Sequence, residues 1–485
     1  MSGRRRLGVV GAGVAGLAAA VELTRIAAAE AAGLELAVFE SEAEPGGKVK
    51  AATFAGTQVE LGADSVLARG PQTLQALERL DLMAEVRRPA TTSASIWNGR
   101  RLLAIPQPSV LGIPLHPWRL DVVRAVGPLG AARAGLEPWL ERQRPQPDGS
   151  VAEFLEPRLG RRLVARLVDP LLGAVYAGPA RGLSTGAVAP QLLAAASGPS
   201  GLLRGLRRSR AAAAPAGPAL GFLSFAGGLK QLVEALGRAL PAGALRLSDG
   251  VRGLEPGPSG GVRLRTGTAP RDFDGVILAL PVPEAARLLA PLAEGLGDLL
   301  RRLDYASVAT VTLAYREDAL TRELRGSGFL VADGARRLVT ACTYLDRKWP
   351  ELRRPGLTLL RASVGRAGDE SALALDDTSL VTSVHLELRR ILGLTQVPIE
   401  VRIQRWHGAL PQYRAGHLGW REAVAEACGQ LPAPVLLCGA AFGGVGVAAC
   451  LESGAAAARA LWERTQKAAA GLDRPEGGGV ERIGS

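Results

Sequence analysis

Histidine, cysteine, lysine and aromatic residues are all scarce in this chain of 485 residues. Its four cysteines (Cys342, Cys428, Cys438 and Cys450) are scattered, so they fit neither a disulfide scaffold nor the paired spacing of a zinc site. We therefore expect reduced thiols and no bound metal. Arrangements of Ser, His and Asp, or of Cys and His, that indicate nucleophilic catalysis are not evident either, and no residue is predicted to be catalytic.

Acidic residues are outnumbered, since 58 Lys and Arg face 46 Asp and Glu. Zinc-finger spacing, an RRM signature and dense basic blocks with interleaved aromatics are all missing, which argues against a nucleic-acid partner. Every long apolar run has a competing interpretation as strand, loop and helix, so a membrane-spanning helix is not expected. The hydrophobic fraction of 47% is enough for the large cores of two or three domains.

Three glycines at a characteristic spacing follow an apolar run, residues 7–10, near the N-terminus. The spacing is typical of a dinucleotide-binding turn that opens a helix, whose N-terminus faces a pyrophosphate. Glu40 ends the next predicted strand, 34–40, where a carboxylate can bind a ribose hydroxyl. The alternative is a glycine-rich turn in an α/β domain without a nucleotide. The candidate cofactor contacts in the turn are Gly11, Gly13, Val14, Ala15 and Gly16.

Two more segments of small residues follow Glu40. The first could bring backbone and a cation close to phosphate and flavin, or could be an ordinary Pro-Gly turn. The second offers small residues against which a flat ring could lie, although Asp64 is also placed to cap the following helix. The candidate contacts are Gly46, Gly47 and Lys48 in the first segment and Gly62, Ala63, Asp64 and Ser65 in the second.

A glycine loop near the C-terminus, residues 437–447, leads from a predicted strand into a helix. It could present backbone amides to the pyrimidine edge and ribityl chain of a flavin, whereas the alternative is a buried hairpin. The candidate contacts are Gly439, Val445, Gly446 and Val447.

Strands and helices alternate at both ends of the chain and around residues 220–280, which predicts an α/β fold with a discontinuous nucleotide-binding domain. Residues 194–219 are rich in Ala, Gly, Pro and Arg and are predicted to be a loop. The predicted boundaries are 1–90, 220–290 and 405–466 for the nucleotide-binding domain, 91–210 for a helical segment, 291–404 for a substrate-binding sheet and 467–485 for a flexible tail.

The segments GAGVAGL, EPGGK, ELGADS and CGAAFGGVGV together resemble the FAD-dependent amine-oxidase superfamily. Residues 150–184 and the segment WHGALPQYRAGHL at 406–418 are similar to its oxygen-dependent protoporphyrinogen oxidase family. This resemblance covers residues 7 to about 465. It implies a Rossmann-like FAD-binding domain of the p-hydroxybenzoate-hydroxylase type and a substrate domain of mixed sheet with a helical insertion.

The resemblance also implies chemistry: FAD as cofactor, a porphyrinogen as substrate, hydride transfer to flavin N5, and molecular oxygen as acceptor with hydrogen peroxide as by-product. Protoporphyrinogen IX is the substrate expected first, in haem and porphyrin biosynthesis. Coproporphyrinogen III, with four propionates instead of two, is an alternative. The same fold also accommodates an amine oxidase or a desaturase, or a non-catalytic FAD-binding scaffold.

The resemblance assigns roles to several individual residues, but some positions of the family pattern are not matched in this chain. Val251 matches a valine that meets the adenine through its backbone, Trp406 matches a flavin-side position, and Leu330 matches an apolar residue that packs on the macrocycle. Ala174 stands where the family often has glycine. The family's propionate-binding arginine is missing, and Arg69, Arg100 and Arg101 are nearby substitutes, with solvated surface as the alternative.

The resemblance implies, too, that the helical segment 91–210 can lie on a membrane, and its mixture of Leu, Trp and Arg suits an interfacial surface. The alternatives are that this segment forms a homodimer interface or only covers the cleft. We expect a cytoplasmic protein, peripheral on the inner face of the cell membrane. His407 and His417 flank the PQY segment, and we interpret His417 as a hydrogen-bonded structural histidine and not as a base.

Overall fold

The computed structural model describes residues 4–140, 146–198, 201–212, 221–293, 295–332 and 337–469. The first elements are β1 Arg5–Val10, α1 Val14–Ala29, β2 Leu34–Phe39, β3 Ala51–Phe54, β4 Thr57–Glu60, β5 Val66–Ala68, α2 Pro71–Arg79 and β6 Val86–Arg87. The second group is β7 Ser95–Trp97, β8 Leu102–Ala104, β9 Ser109–Val110, β10 Ile113–Pro114, α3 Leu120–Val126, α4 Pro128–Gly135, α5 Val151–Leu159, α6 Arg161–Leu163, α7 Asp169–Tyr176, α8 Thr185–Val188, α9 Pro190–Ala196 and α10 Leu202–Ala212.

The remaining elements, from Gly221 to Ala469, are given in two groups, and each group contains several strands. The third group is β11 Gly221–Phe225, α11 Lys230–Arg238, β12 Leu245–Arg246, β13 Gly253–Pro256, β14 Val262–Arg265, β15 Arg271–Phe273, β16 Gly275–Leu278, α12 Val282–Leu289 and α13 Leu296–Arg301. The last group is β17 Tyr305–Arg316, β18 Gly328–Val331, β19 Val339–Tyr344, α14 Leu345–Lys348, β20 Leu357–Val364, α15 Asp377–Leu392, β21 Glu400–Pro411, α16 His417–Gly429, β22 Val435–Leu437 and α17 Val447–Ala469.

A parallel sheet gathers strands that are distant in sequence, in the order β12-β2-β1-β16-β22. The strand interiors are apolar and buried, as expected of a parallel sheet covered on its faces. The first and last long helices, α1 and α17, cross so closely that a Cβ at Gly454 would lie 2.0 Å from the Ala15 carbonyl oxygen. The two ends of the chain are therefore packed into one body.

A second, larger sheet has the order β21-β17-β20-β19-β18-β7-β8 and is antiparallel except between β18 and β7. One face of its long strands packs against α15, where Val311, Leu313 and Leu388 share a core. The helices between α3 and α10 form a separate core that includes Leu155, Leu167 and Leu192. The predicted α/β class with a mixed-sheet substrate domain is confirmed.

Several predicted details differ from the structure. The segment 91–210 is not helical throughout, because β7 and β8 extend the second sheet. The boundary at residue 405 falls inside β21, whose hydrogen bonds to β17 run across it. The low-complexity segment 194–219 contains α10, since Leu202, Leu203 and Leu206 recur at helical spacing and are buried. Most of the predicted tail, 467–485, lies outside the described residues.

Candidate active site

The glycine turn between β1 and α1 has the geometry that its spacing predicts. Gly11 adopts φ +98°, which favours glycine, and a Cβ at Gly16 would lie 1.8 Å from the Gly11 carbonyl oxygen. A Cβ at Gly13 would meet nothing within 4 Å in the described part of the chain. Because Gly13 at the N-cap has no side chain to cap α1, the first amides of this helix are left for an anion.

Glu40 is half-buried at the carboxyl end of β2, and its carboxylate accepts hydrogen bonds from neighbouring backbone. Oε2 accepts from the Ala12 N–H at 2.7 Å, and Oε1 accepts from the Glu42 N–H at 3.0 Å. The acid thus fixes the glycine turn directly, a contact that was not predicted from the sequence. Its predicted contact with a ribose hydroxyl stays a prediction.

The second glycine pair lies against the first turn. Gly46 donates its N–H to the Ala12 carbonyl at 2.8 Å, and a Cβ at Gly47 would lie 3.3 Å from the Gly13 Cα. Both glycines have positive φ, so larger residues are disfavoured at each position. The Gly46–Gly47 pair and the Gly11–Gly16 turn therefore lie side by side, and we call the space in front of them the recess.

Val251 reaches the same end of the sheet. It is buried, and two residues before it the Asp249 N–H donates to the Glu40 carbonyl at 2.8 Å. A Cβ at Gly250 would lie 3.1 Å from the Ser41 Cβ. The predicted adenine contact and the predicted ribose contact are thus brought together, although they are more than two hundred positions apart in sequence.

Further along the recess, Gly62 lies against Trp406. A Cβ at Gly62 would lie 3.3 Å from the indole Cζ2 and 2.4 Å from the Lys48 carbonyl oxygen. The neighbouring Ala63 is exposed. This geometry fits a flat ring approaching backbone, with the cation of Lys48 nearby.

Lys48 is exposed at the surface of the recess but has protein on most sides. Its Nζ donates to the Ala409 carbonyl, which ties the glycine pair to β21. Burial by the surrounding protein lowers the pKa of Lys48, and the Cys450 thiolate would act in the opposite direction.

The alternative role of Asp64, as the cap of the following helix, is wrong, because α2 begins after Gly70 and the carboxylate pairs with other residues. Asp64 forms ion pairs with Lys348 at 2.9 Å and Arg361 at 3.1 Å, and accepts from the Ser65 hydroxyl at 2.9 Å. Burial alone would raise the pKa of Asp64, but the two cations outweigh it and hold that pKa well below its usual range. The Asp64 and Ser65 side chains serve this pairing.

The C-terminal glycine loop closes the recess from another side. Gly439 has φ +107° and its N–H donates to the Ser453 hydroxyl at 3.0 Å, while a Cβ on it would lie 3.7 Å from the Ala15 Cβ. A Cβ at Gly446 would meet nothing within 4 Å among the described residues. The loop is open at Gly446, directly before the buried Val447 begins α17, and it is not a hairpin.

The predicted substrate-side residues lie around α7. Ala174 and Val175 are exposed on this helix, and α7 contacts β18, the strand of Leu330. Leu330 and the flavin-side Val445 both pack on the same helical core. Burial raises the pKa of Tyr176, and the charge of the exposed Arg69 acts in the opposite direction.

A stack of rings continues from Tyr176 away from α7. Tyr413 lies 5.6 Å from Tyr176 and is parallel to His417 at 4.1 Å, and Trp420 and Phe442 extend the stack. Burial lowers the pKa of His417 to about 4, so the imidazole is neutral near pH 7. This placement supports a structural role for His417, although its Nε2 is buried without a hydrogen-bond partner among the described residues, so the predicted hydrogen bonding is not seen at that atom.

Sequence reasoning missed Arg361, Lys348 and Thr310, which all contact the segment around Gly62. Thr310 Oγ1 donates to the Leu61 carbonyl at 2.9 Å. A signal for Arg361 was available, since a single arginine interrupts the apolar strand LTLLRASV. Threonine in a strand carries no comparable signal.

Comparison with known proteins identifies the class. Residues 14–462 match the family described as flavin containing amine oxidoreductase, so this chain belongs to that family. Its cofactor is FAD, as the resemblance implied, and it is a flavin-dependent oxidoreductase.

Individual relatives are similar along nearly their whole length. The coproporphyrinogen III oxidase of Bacillus subtilis is 30% identical, covering 94% of this chain and 97% of the relative. That of Mycobacterium leprae is 34% identical, covering 93% and 97%. The protoporphyrinogen oxidase of Bos taurus is 27% identical, covering 94% and 98%.

Solved structures agree in fold. A protein of Exiguobacterium sp. 255-15 superposes with a TM-score of 0.83 at 31% identity, covering 96% of this chain and 100% of that one. Wild-type putrescine oxidase superposes with a TM-score of 0.64 at 17% identity, covering 95% and 99%, which shows the shared fold alone.

Proposed function

We propose that this chain oxidises a porphyrinogen to the porphyrin and that its substrate is coproporphyrinogen III. The single observation that carries the proposal is that Leu330, predicted on the substrate side, and Val445, predicted on the flavin side, pack on the same helical core, whose α7 contacts the strand of Leu330. The relatives that carry the name coproporphyrinogen III oxidase support coproporphyrinogen III over protoporphyrinogen IX, the substrate expected first from the sequence.

The residues present fit FAD at the recess described above. A Cβ at Gly13 or at Gly446 would meet no atom of the described residues within 4 Å, and the uncapped amides of α1 suit a pyrophosphate. In our proposal the other predicted contacts, from Glu40 and Gly47 to Trp406, hold the nucleotide and the ring. When bound, FAD supplies a two-electron acceptor for hydride from the substrate, and oxygen reoxidises it with formation of hydrogen peroxide.

The chain's own residues bind and orient the substrate. Leu330 and the exposed Val175 offer apolar surface to a macrocycle and exclude water from it. Arg69 offers a cation to a propionate at the rim. In our proposal His417 does not act as a base, because it is buried within the ring stack. Leu330, Val175 and Arg69 contribute to catalysis by positioning the substrate.

The test follows porphyrin fluorescence in air with coproporphyrinogen III and protoporphyrinogen IX side by side, using purified FAD-loaded protein. We expect faster oxidation of coproporphyrinogen III, with hydrogen peroxide formed in step. A preference for protoporphyrinogen IX would overturn the substrate assignment. A yellow protein that oxidises neither would favour an amine oxidase, a desaturase or a scaffold.

We also propose that the helical segment attaches the protein to the inner face of the cell membrane. Four exposed apolar side chains support this: Trp118, Leu120, Leu129 and Trp139 are 64%, 63%, 76% and 72% exposed. The Trp118 ring lies against Gly135 at the end of α4, and the exposed Arg119, paired with Asp121, follows it in sequence. Among the described residues, no helix is both long and apolar enough to cross a bilayer.

Vesicle flotation tests this attachment. Binding to vesicles with phosphatidylglycerol is expected to fall on the order of tenfold when Trp118 and Trp139 are both replaced by Gln. The matched control is Val397→Gln, at an exposed apolar residue remote in sequence from the patch. Equal flotation of all three proteins would contradict the attachment, and a dimer that dissociates on the double substitution would favour the homodimer interface instead.

A further inference from the structure

The segment from Glu60 to Asp64 is held by side chains of the seven-stranded sheet. Thr310 on β17 and Trp406 on β21 donate to the Leu61 carbonyl at 2.9 and 3.3 Å. These donors project from the face of the sheet opposite its packing against α15, because residues alternate between faces along a strand. The flavin-side segment therefore takes its shape from another part of the fold.

Arg361, on the interior strand β20, contacts this segment at three points. Its Nη1 donates to the Glu60 carbonyl at 2.9 Å and to the Gly62 carbonyl at 3.2 Å. Its Nη2 lies 3.1 Å from the Asp64 carboxylate. The residue is only 8% exposed, so one buried guanidinium bridges three points on both sides of Leu61.

We propose that Arg361 is a positioning residue for the flavin. Its hydrogen bonds hold the Gly62–Ala63 backbone in the position against which the flavin ring lies. The proposal rests on the placement of FAD proposed above. A glycine cannot fix its own backbone through side-chain packing, so external donors must define this turn. The planar fork of arginine can bind two carbonyls and a carboxylate at once, whereas lysine is a point charge that cannot reproduce this geometry.

Substitutions at Arg361 test the proposal without any substrate. In Arg361→Gln we expect FAD to bind on the order of tenfold more weakly, because charge-assisted hydrogen bonds to the turn are lost. The visible circular dichroism of the residual bound flavin is expected to change shape, and Arg361→Lys is expected to lie between the two. The control is Arg405→Gln, since Arg405 pairs with Asp377 and the Leu375 carbonyl on the opposite face of the sheet.

An Arg361→Gln protein that binds FAD as tightly as the native chain, with the same flavin circular dichroism, would overturn the proposal. If that variant fails to fold, Arg361→Lys and Asp64→Asn replace it, and unchanged FAD affinity and spectrum in both would overturn the proposal equally. Because these readouts involve only the flavin, they stay informative if the porphyrinogen assignment fails.

Discussion

The Trp406 indole N–H donates to the Leu61 carbonyl at 3.3 Å, across 345 positions of sequence. This hydrogen bond joins the last strand of the second sheet to the segment that follows β4. A Cβ on the neighbouring Gly62 would point at the same indole and at the Lys48 carbonyl oxygen. The contact thus defines the wall on which the flavin assignment depends.

Gly62→Ala is expected to weaken FAD binding on the order of tenfold, because the new Cβ displaces backbone in a packed site. Retention of FAD after gel filtration, followed by titration of the apoprotein, measures this. Gly237→Ala is the control, since a Cβ there meets nothing within 4 Å among the described residues and its helix tolerates alanine. Equal losses in the two variants would contradict the role of Gly62.

Glu40→Ala is expected to weaken FAD binding on the order of tenfold, because the glycine turn loses a charge-assisted hydrogen bond at Ala12. The same titration of the apoprotein measures the effect. The exposed Glu42 offers the control, since Glu42→Ala keeps its backbone contacts. Unchanged affinity in Glu40→Ala would show that this carboxylate is dispensable for the nucleotide end.

Arg69→Gln is expected to raise KM for coproporphyrinogen III on the order of tenfold with kcat nearly unchanged, because a substrate carboxylate loses its cation in ground and transition states alike. Steady-state porphyrin fluorescence measures both constants. The exposed Arg238, which has no predicted substrate contact, supplies the control variant, Arg238→Gln. A fall in kcat at constant KM would contradict a binding role for Arg69.

Two buried groups give opposite pH dependences of stability. Burial raises the pKa of Glu60 from its usual 4.5 to about 7, so the folded state binds the extra proton and this group lowers stability as pH rises from 4.5 to 7. Burial lowers the pKa of His417 from 6.5 to about 4, so stability is lost as pH falls from 6.5 to 4.

Thermal unfolding between pH 4 and pH 7 separates these two effects. The Tm of Glu60→Gln minus that of the native chain is expected to be larger at pH 7 than at pH 5, by on the order of a few degrees. His417→Phe is expected to show the reverse trend, with its relative gain at the lower pH. Parallel Tm profiles for all three proteins would show that neither group titrates as described.

The sequence allowed good prediction wherever local backbone chemistry defines structure. The Gly11-x-Gly13-x-x-Gly16 turn and the strand before it follow from sterics within a few residues. The ion pairs of Asp64 could not be predicted, because Lys348 and Arg361 reach it only through the register of a distant sheet. Helix α10 was missed for another reason: composition hid the helical spacing of its leucines.

Anaerobic mixing with coproporphyrinogen III is the most direct test of the central claim. We predict that the yellow flavin absorbance of the FAD-loaded protein bleaches at a rate no slower than aerobic turnover, and returns when oxygen is admitted while porphyrin fluorescence appears. Flavin that stays oxidised with coproporphyrinogen III and with protoporphyrinogen IX, in protein that retains FAD, would contradict porphyrinogen oxidation by this chain.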